Sequence, residues 1–421
     1  MGLVTRRLYR LSEPCIGLVV ERMDEIEIDE PGVRRVYLDH AATSWPKLAS
    51  ATAAAVDFIQ QCGATSGRGS YRSAQVADRW LSDARLAVAK LINASNSNCI
   101  AICNSGTHAL NAALCGLMRE GEHVVTTAME HNSVLRPLAQ LVASGRVEMT
   151  VIDCSASGAV DAEKIDAAIN GSTRWIVVGH ASNVTGAVQR LEPIADIAQR
   201  YGIGLMVDAS QTLGYLPIDV AAMGIDVVAA AGHKGLRAWA GTGLLYVAAK
   251  FQSAVRPLMT GGTGSASELI DAMPSWPQSV EVGNLNLPGI VSLAVAAREA
   301  DTSQSWRPLY RELVAGLRAL PGLKLLVAEN EETAIPVISL TVDGWDNHDV
   351  ANVLDANFGI EARAGLHCAA LVHNFIGTAL GESARSGGTL RLSLGHESTK
   401  NDVQAVLNAL RAITGNEIEI S

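Results

Sequence analysis

The sequence predicts an α/β protein with a mostly parallel central sheet covered by helices and a smaller C-terminal α/β unit. Three observations carry this. Short β-rich runs alternate with helical stretches from about residue 99, a second alternation follows an irregular Gly/Ser/Pro-rich stretch, and polar residues gather just past the ends of the apolar runs. In such sheets ligands bind outside the carboxyl ends of the strands, so those polar residues are the first candidates for function.

The first run is 99–103, followed by a helical stretch at 107–118. Runs at 123–127, 147–152 and 174–179 come next, with helical spacing at 162–169 before the last of them. A helix at 193–201 leads into 203–207, and the series closes with 226–230 and 243–247. The last two runs are joined by the Gly- and Trp-containing stretch 232–241, with no helix between them, so one of them is expected to pair antiparallel. The stretch 261–277 is too irregular for an element and long enough for a functional loop. Beyond it a helical run at 289–300 precedes a βαβ-like series at 337–342, 349–357, 389–394 and 402–412. The expected division is an N-terminal extension at 1–35, a large domain at 36–285 and a small domain at 286–421.

Composition narrows the partners. With 33 Lys and Arg against 43 Asp and Glu, the net charge is −10, and no basic block occurs anywhere, which argues against nucleic acid or an anionic membrane as the main partner. A small molecule is the expected ligand. No apolar stretch reaches the roughly 18–20 residues of a spanning helix. The apolar run 16–20, after Arg6, Arg7 and Arg10, meets Glu21 too soon for a signal-peptide core, so a cytoplasmic protein is expected, with Met23 an alternative start. Seven scattered cysteines without a C-x-x-C pair fit free thiols, and Cys99 and Cys103 share one face of a strand-like run, as core residues do. No G-x-G-x-x-G follows the first strand, no P-loop is present, and the histidines show no H-x-x-x-H pair, so nucleotide and zinc-hydrolase readings are set aside and no metal is expected.

Ala231-Gly232-His233-Lys234-Gly235 directly follows an apolar run. A strand-end lysine flanked by glycines is placed to form a Schiff base with a planar ligand, given burial that lowers its pKa; alone, it reads more readily as a solvated loop lysine. Asp208 lies 26 residues upstream at the end of another apolar run, with Gln211 after it. A carboxylate so placed keeps a pyridine nitrogen protonated and makes the ring of pyridoxal 5′-phosphate an electron sink. A phosphate seat is offered by Asn104-Ser105-Gly106-Thr107, where small residues turn from a run into a helix, although a plain helix cap has the same look. His131 and Asn183 lie just beyond other run ends. Arg391, on a β-like run, has the fork to clamp a carboxylate bidentately. Cys368 follows His367 in a Gly-containing stretch near Arg363, a setting that favours thiolate.

Taken in order, Leu38-Asp39-His40-Ala41-Ala42-Thr43, Ser105-Gly106-Thr107, Met129-Glu130-His131-Asn132-Ser133, Ser182-Asn183-Val184-Thr185-Gly186, Val207-Asp208-Ala209-Ser210-Gln211 and Gly232-His233-Lys234-Gly235 resemble the class V aminotransferase-fold enzymes. Arg363-Ala364-Gly365-Leu366-His367-Cys368-Ala369 is similar to the cysteine desulfurase and selenocysteine lyase branch, the SufS-like group II. The resemblance runs from about residue 36 to 412. It implies a fold-type I pyridoxal phosphate enzyme, a homodimer, acting on L-cysteine or a related amino acid and serving a sulfur-acceptor protein. It places Lys234 in the Schiff base, Asp208 on the pyridine nitrogen, Gln211 on the ring oxygen and His131 against the ring face. Ser105, Gly106, Thr107 and His233 bind phosphate on this likeness, and Asn284 lies in the loop that reaches the partner subunit. Asn183, Arg391 and Arg363 bind the substrate carboxylate, and Cys368 is the nucleophile that takes the sulfur.

Three positions depart from the family pattern: Ala231 stands where many relatives have Ser in Ser-Gly-His-Lys, Gly283-Asn284-Leu285-Asn286 where they have Gly-Thr-x-Asn, and Leu366-His367 where two histidines precede the cysteine. The alternatives are another pyridoxal phosphate lyase or aminotransferase, such as a selenocysteine lyase, and a non-catalytic paralogue that binds sulfur carriers as a scaffold.

Overall fold

A computed structural model describes residues 35–67, 69–262, 274–379 and 387–415. The N-terminal extension before Arg35, and most of the loop expected at 261–277, lie outside the described residues.

Strands whose residues are apolar on both faces must be covered on both faces, and the first sheet is built from such strands. After a short β1 (Val36–Tyr37), which stands apart from it, its strands along the chain are β2 (Ile100–Cys103), β3 (Glu122–Thr127), β4 (Val147–Ile152), β5 (Thr173–Gly179), β6 (Gly204–Asp208), β7 (Val227–Ala231) and β8 (Gly243–Val247). Every residue of β2, β6, β7 and β8 is buried. The spatial order is β2-β8-β7-β6-β5-β3-β4. Pairing is parallel from β7 through β4, while β8 is antiparallel to both neighbours. The antiparallel strand anticipated from the helix-free connection is therefore β8, and the register Ala231↔Gly243 puts that connection at the site edge.

Helices cover both faces. Ahead of the sheet come α1 (Ala49–Gln61) and α2 (Arg72–Leu91); within it lie α3 (Gly106–Leu117), α4 (Asn132–Ala143), α5 (Ala162–Ala167) and α6 (Leu191–Tyr201). The start of α3 follows from Ser105, whose hydroxyl accepts from the His108 N–H, and that of α4 from His131, whose ring nitrogen accepts from the Ser133 N–H. After β8, α7 (Leu287–Arg298) opens with an Asn286 cap and a proline in its first turn.

The second sheet is built from β9 (Leu323–Leu326), β10 (Val337–Val342), β12 (Arg363–Gly365) and β13 (Thr389–Ser393), in the spatial order β12-β13-β10-β9 and antiparallel throughout. It packs with α8 (Arg307–Arg318), α9 (Asn347–Phe358) and α10 (Lys400–Thr414) around a separate core that includes Tyr310, Leu313, Leu340, Leu392, Val406 and Leu410.

Two expectations are corrected here. The C-terminal part is not a parallel βαβ unit: Ser339 pairs with Arg391 across antiparallel β10 and β13, because the chain adds β11 (Ile360–Glu361), β12 and the cysteine loop after α9 and re-enters from the opposite end. The expected division at residue 286 cuts off α7 from its own core, since Leu287, Ile290, Leu293 and Ala297 are buried in one cluster with residues of α1, α2 and β7. At the other end, β1 pairs with β11, and Val36 and Leu38 are buried in the second core. An apolar stripe states that a face is buried, not which core receives it.

Candidate active site

Because β8 is antiparallel to both β2 and β7, the strands β2, β3, β5, β6 and β7 all end on the same edge of the sheet. One cavity opens there, lined by Ser105, Gly106, Thr107, His131, Asn183, Asp208, Gln211, His233 and Lys234. Residues spread along the chain from Ser105 to Lys234 are brought together by strand order alone. Asn284 does not line this cavity; it lies in the segment leading to α7.

Lys234 sits two residues beyond the glycine that follows β7. Burial pushes its amine down to about 8, with Arg391 and Arg363 pushing the same way and Asp208 and Cys368 opposing. An amine so depressed is neutral about a tenth of the time at pH 7, far more than an ordinary lysine, and a nucleophilic or proton-accepting lysine requires that neutral form. Competitive acylation of the protein, followed by peptide mass spectrometry across pH, is expected to show Lys234 becoming reactive with a midpoint near pH 8, where an ordinary lysine responds near 10.5. A midpoint in the ordinary range would overturn the depressed amine.

Asp208 ends β6, 9% exposed, and its Oδ1 accepts from the Ser210 N–H at 2.9 Å, which fixes the carboxylate's orientation. His131 is held by its capping contact: Nδ1 accepts from the Ser133 N–H at 3.0 Å, so the neutral ring carries its proton on Nε2. Burial, with Lys234 adding to it, pushes this imidazole down to about 4, and His233 is likewise pushed to about 4 by burial and by Lys234. Both rings are therefore uncharged at neutral pH. A chain of contacts joins the two helix starts, Thr107 Oγ1 to Ser133 Oγ at 2.8 Å and Ser133 Oγ to His131 Nδ1 at 3.0 Å.

The segment before α1 braces the lysine loop. Thr43 Oγ1 meets His233 Nδ1 at 2.9 Å, Lys47 Nζ donates to the His233 carbonyl at 2.8 Å, and Gln211 Nε2 donates to the Ala41 carbonyl at 3.0 Å. That contact uses one of the two Gln211 amide protons and leaves the other for a ligand.

Cys368 is the exposed cysteine among the described residues, whereas Cys62, Cys99, Cys103 and Cys154 are buried. Cys99 and Cys103 are core residues, as expected, but they do not share a face: Cys99 ends a short turn before β2 and packs in one core, whereas Cys103 packs in another. His367 and Cys368 adopt left-handed backbone angles, φ 51° and 58°, a strained arrangement for residues with a side chain. The strain is held by residues just past the ends of two strands of the first sheet: Asn183 Nδ2, beyond β5, donates to the His367 carbonyl at 2.6 Å, and the N–H of Asn132, which opens α4 after β3, donates to the Cys368 carbonyl at 2.7 Å. His367 Nε2 in turn reaches Thr389 Oγ1 at 2.9 Å. Arg363 Nη2 approaches the Cys368 sulfur at 3.9 Å.

Arg391 is almost wholly buried, and its fork is already engaged: Nη2 pairs with Asp39 Oδ1 at 2.6 Å and Nη1 donates to the Asn183 carbonyl at 3.2 Å, while Nε has no partner. Arg363 stands opposite it across β12 and β13. Neither arginine lines the cavity as Lys234 does, though both bear on the Lys234 charge.

Sequence reasoning passed over Glu130, Ser133, Ser210 and Lys47 as site residues. Glu130 lines the cavity and is fully buried; Oε1 accepts from Thr127 Oγ1 and from the Gly179 N–H, Oε2 has no partner, and burial pushes its carboxyl up to about 8. The signal was its place just after a strand, the same one that singled out His131.

Residues 36–406 match the family model described as aminotransferase class-V, and the chain belongs to that family. Among curated relatives, a probable cysteine desulfurase of Methanothermobacter thermautotrophicus is 32% identical, the match covering 94% of this chain and 100% of that protein. Cysteine desulfurase CsdA of Escherichia coli is 27% identical, over 89% of this chain and 93% of the relative. Among solved structures, the apo cysteine desulfurase of Thermococcus onnurineus NA1 superposes with a TM-score of 0.83 at 26% identity, covering 91% of this chain and 95% of that one.

Proposed function

We propose that the protein is a pyridoxal phosphate-dependent cysteine desulfurase that converts L-cysteine to L-alanine and takes the sulfur onto Cys368 as a persulfide. The observation that carries this reading is the junction of two parts: a strand-end cavity holding Lys234, Asp208 and His131, and an exposed thiol on a strained loop tied to that cavity by Asn183 and Asn132.

The cavity fits the cofactor by its donor set. A β-carbon built on Gly106 would lie 2.9 Å from Ser210 Oγ and 3.2 Å from the Ala231 nitrogen, so only glycine leaves the start of α3 open there, with free backbone N–H groups and the positive helix end for a phosphate. Thr107 and His233 add side chains to that seat, Asp208 suits a protonated pyridine nitrogen, Gln211 a ring oxygen and the neutral His131 ring a stacking face. When bound, pyridoxal phosphate supplies an electron sink for the electrons left at the substrate Cα. Lys234, neutral part of the time, would hold the cofactor covalently and, when its amine is free, would accept the α-proton at Nζ. Arg391, with Asn183 and Arg363, orients the substrate carboxylate. The Cys368 thiolate attacks the substrate sulfur; its S–S bond forms as the substrate C–S bond breaks, and the electrons and a proton end on the carbon that becomes the alanine methyl.

The SufS-like branch, a homodimer in which Asn284 reaches the partner's site, a sulfur-acceptor protein that discharges Cys368, and a reducing cytoplasm that keeps the thiol free belong to the same proposal. The test is an alanine and sulfide assay on the purified protein across cysteine, selenocysteine and other amino acids, with and without reductant. Alanine formed from cysteine supports the reading; selenocysteine alone as substrate moves it to a selenocysteine lyase, and a colourless protein that pyridoxal phosphate does not reconstitute overturns it in favour of a scaffold.

Arg391→Ala is expected to raise KM for cysteine roughly ten- to a hundredfold, the worth of a charge-assisted carboxylate contact, with a much smaller effect on cofactor binding. Arg391→Lys keeps the charge toward Asp39 but loses the fork, and is expected to raise KM as well. Unchanged KM in steady-state kinetics of both variants places the carboxylate site elsewhere.

A further inference from the structure

We infer that Ser210 supplies the phosphate-binding hydroxyl that Ala231 lacks. The inference rests on the pyridoxal phosphate reading above. Three segments meet at the start of α3: a β-carbon built on Gly106 would lie 2.9 Å from Ser210 Oγ, 3.2 Å from the Ala231 nitrogen and 3.4 Å from the Ala231 Cβ. The hydroxyl of Ser210 thus stands beside the same glycine as the methyl of Ala231, and it lines the same cavity as Thr107 and His233.

The Ser105, Thr107 and Ser133 hydroxyls at this edge each have a contact within the protein. Ser105 Oγ accepts from the His108 N–H at 3.0 Å, and Thr107 Oγ1 and Ser133 Oγ contact each other at 2.8 Å. Among the described residues the Ser210 hydroxyl bonds no protein atom, whereas its backbone N–H is fixed on Asp208 Oδ1 at 2.9 Å. The residue's position is therefore set by the carboxylate that faces the ring, and its O–H is left for a ligand. A serine hydroxyl is a donor to a phosphate oxygen, and beside the open N–H groups of a helix start such a bond is charge-assisted.

The test titrates the apoprotein with pyridoxal 5′-phosphate and, separately, with pyridoxal, which has the ring and aldehyde but no phosphate, following the quenching of tryptophan fluorescence. Ser210→Ala is expected to weaken pyridoxal phosphate binding roughly tenfold or more, the size of one charge-assisted hydrogen bond, and to leave pyridoxal binding unchanged. Ala231→Ser added to Ser210→Ala is expected to restore most of the lost affinity by returning a hydroxyl beside the same glycine. Full affinity of Ser210→Ala for pyridoxal phosphate overturns the Ser210 role while leaving the cofactor reading in place. Equal weakening toward both compounds overturns it too, since the defect then lies in the ring site or the fold. A wild-type chain that binds neither compound overturns the cofactor reading and this inference together.

Discussion

Lys234→Ala is expected to abolish turnover, with kcat falling at least about a thousandfold, while leaving the protein folded. Two roles are lost in one substitution. On the proposed function the amine both anchors the cofactor covalently and accepts the α-proton; positioned acid–base catalysis alone contributes roughly 10²–10⁴ in rate. No neighbour replaces it, because His131 and His233 are pushed to about 4, which makes them weak proton acceptors, and their Nδ1 atoms are engaged by Ser133 and Thr43. Folding is spared for a physical reason: burial works against the charged amine, so its removal relieves an unfavourable desolvation. Borohydride reduction of the wild-type protein with pyridoxal phosphate, followed by peptide mapping, should place the modification on Lys234. A modified peptide that omits Lys234, or a Lys234→Ala variant with substantial turnover, sinks the assignment.

Cys368→Ala is expected to keep the fold, the cofactor and the first spectral response to L-cysteine, yet to form no protein persulfide. The two functions sit on different cores, the cavity on the first sheet and the thiol on the loop leading out of β12. Alanine at 368 leaves in place the carbonyl that accepts from the Asn132 N–H, and the exposed side chain contributes little to packing, so Tm should move by no more than about 2 °C. No other described thiol is suited to the step: burial pushes Cys103, Cys115 and Cys154 up, which keeps them protonated, and Cys62 and Cys99 are buried. Intact-protein mass spectrometry after cysteine treatment reads the result. Persulfide that still accumulates on Cys368→Ala moves the reading to a generic pyridoxal phosphate lyase.

The residues from Asp208 to Lys234 show how much of the site was legible. Each candidate there was found by one local sign, a polar side chain following an apolar run, and the sheet brings Ser105, His131, Asn183, Asp208 and Lys234 to one edge as the alternation implies. The same sign applied to Glu130 and Ser210 and was passed over, because a buried carboxyl and an idle hydroxyl acquire meaning only from what surrounds them. Arg391 was legible as a strand residue with a fork, but its pairing with Asp39, 352 positions away, was not.

What the sequence determined by itself is whatever depends on neighbours along the chain: the apolar runs that became β2 to β8, the helix start at Ser105, the helix-free connection that makes β8 antiparallel, and the chemical types placed at the strand ends. These follow from backbone hydrogen bonding and side-chain periodicity over a few residues. The tertiary structure alone decided the antiparallel second sheet, the membership of α7 in the first core and of β1 in the second, and the strained His367-Cys368 backbone held by Asn183 and Asn132. Each of these is a choice among partners distant in sequence, and it is set by which pairings bury the most apolar surface while satisfying every backbone group, a condition that exists only when the whole chain has closed around its cores.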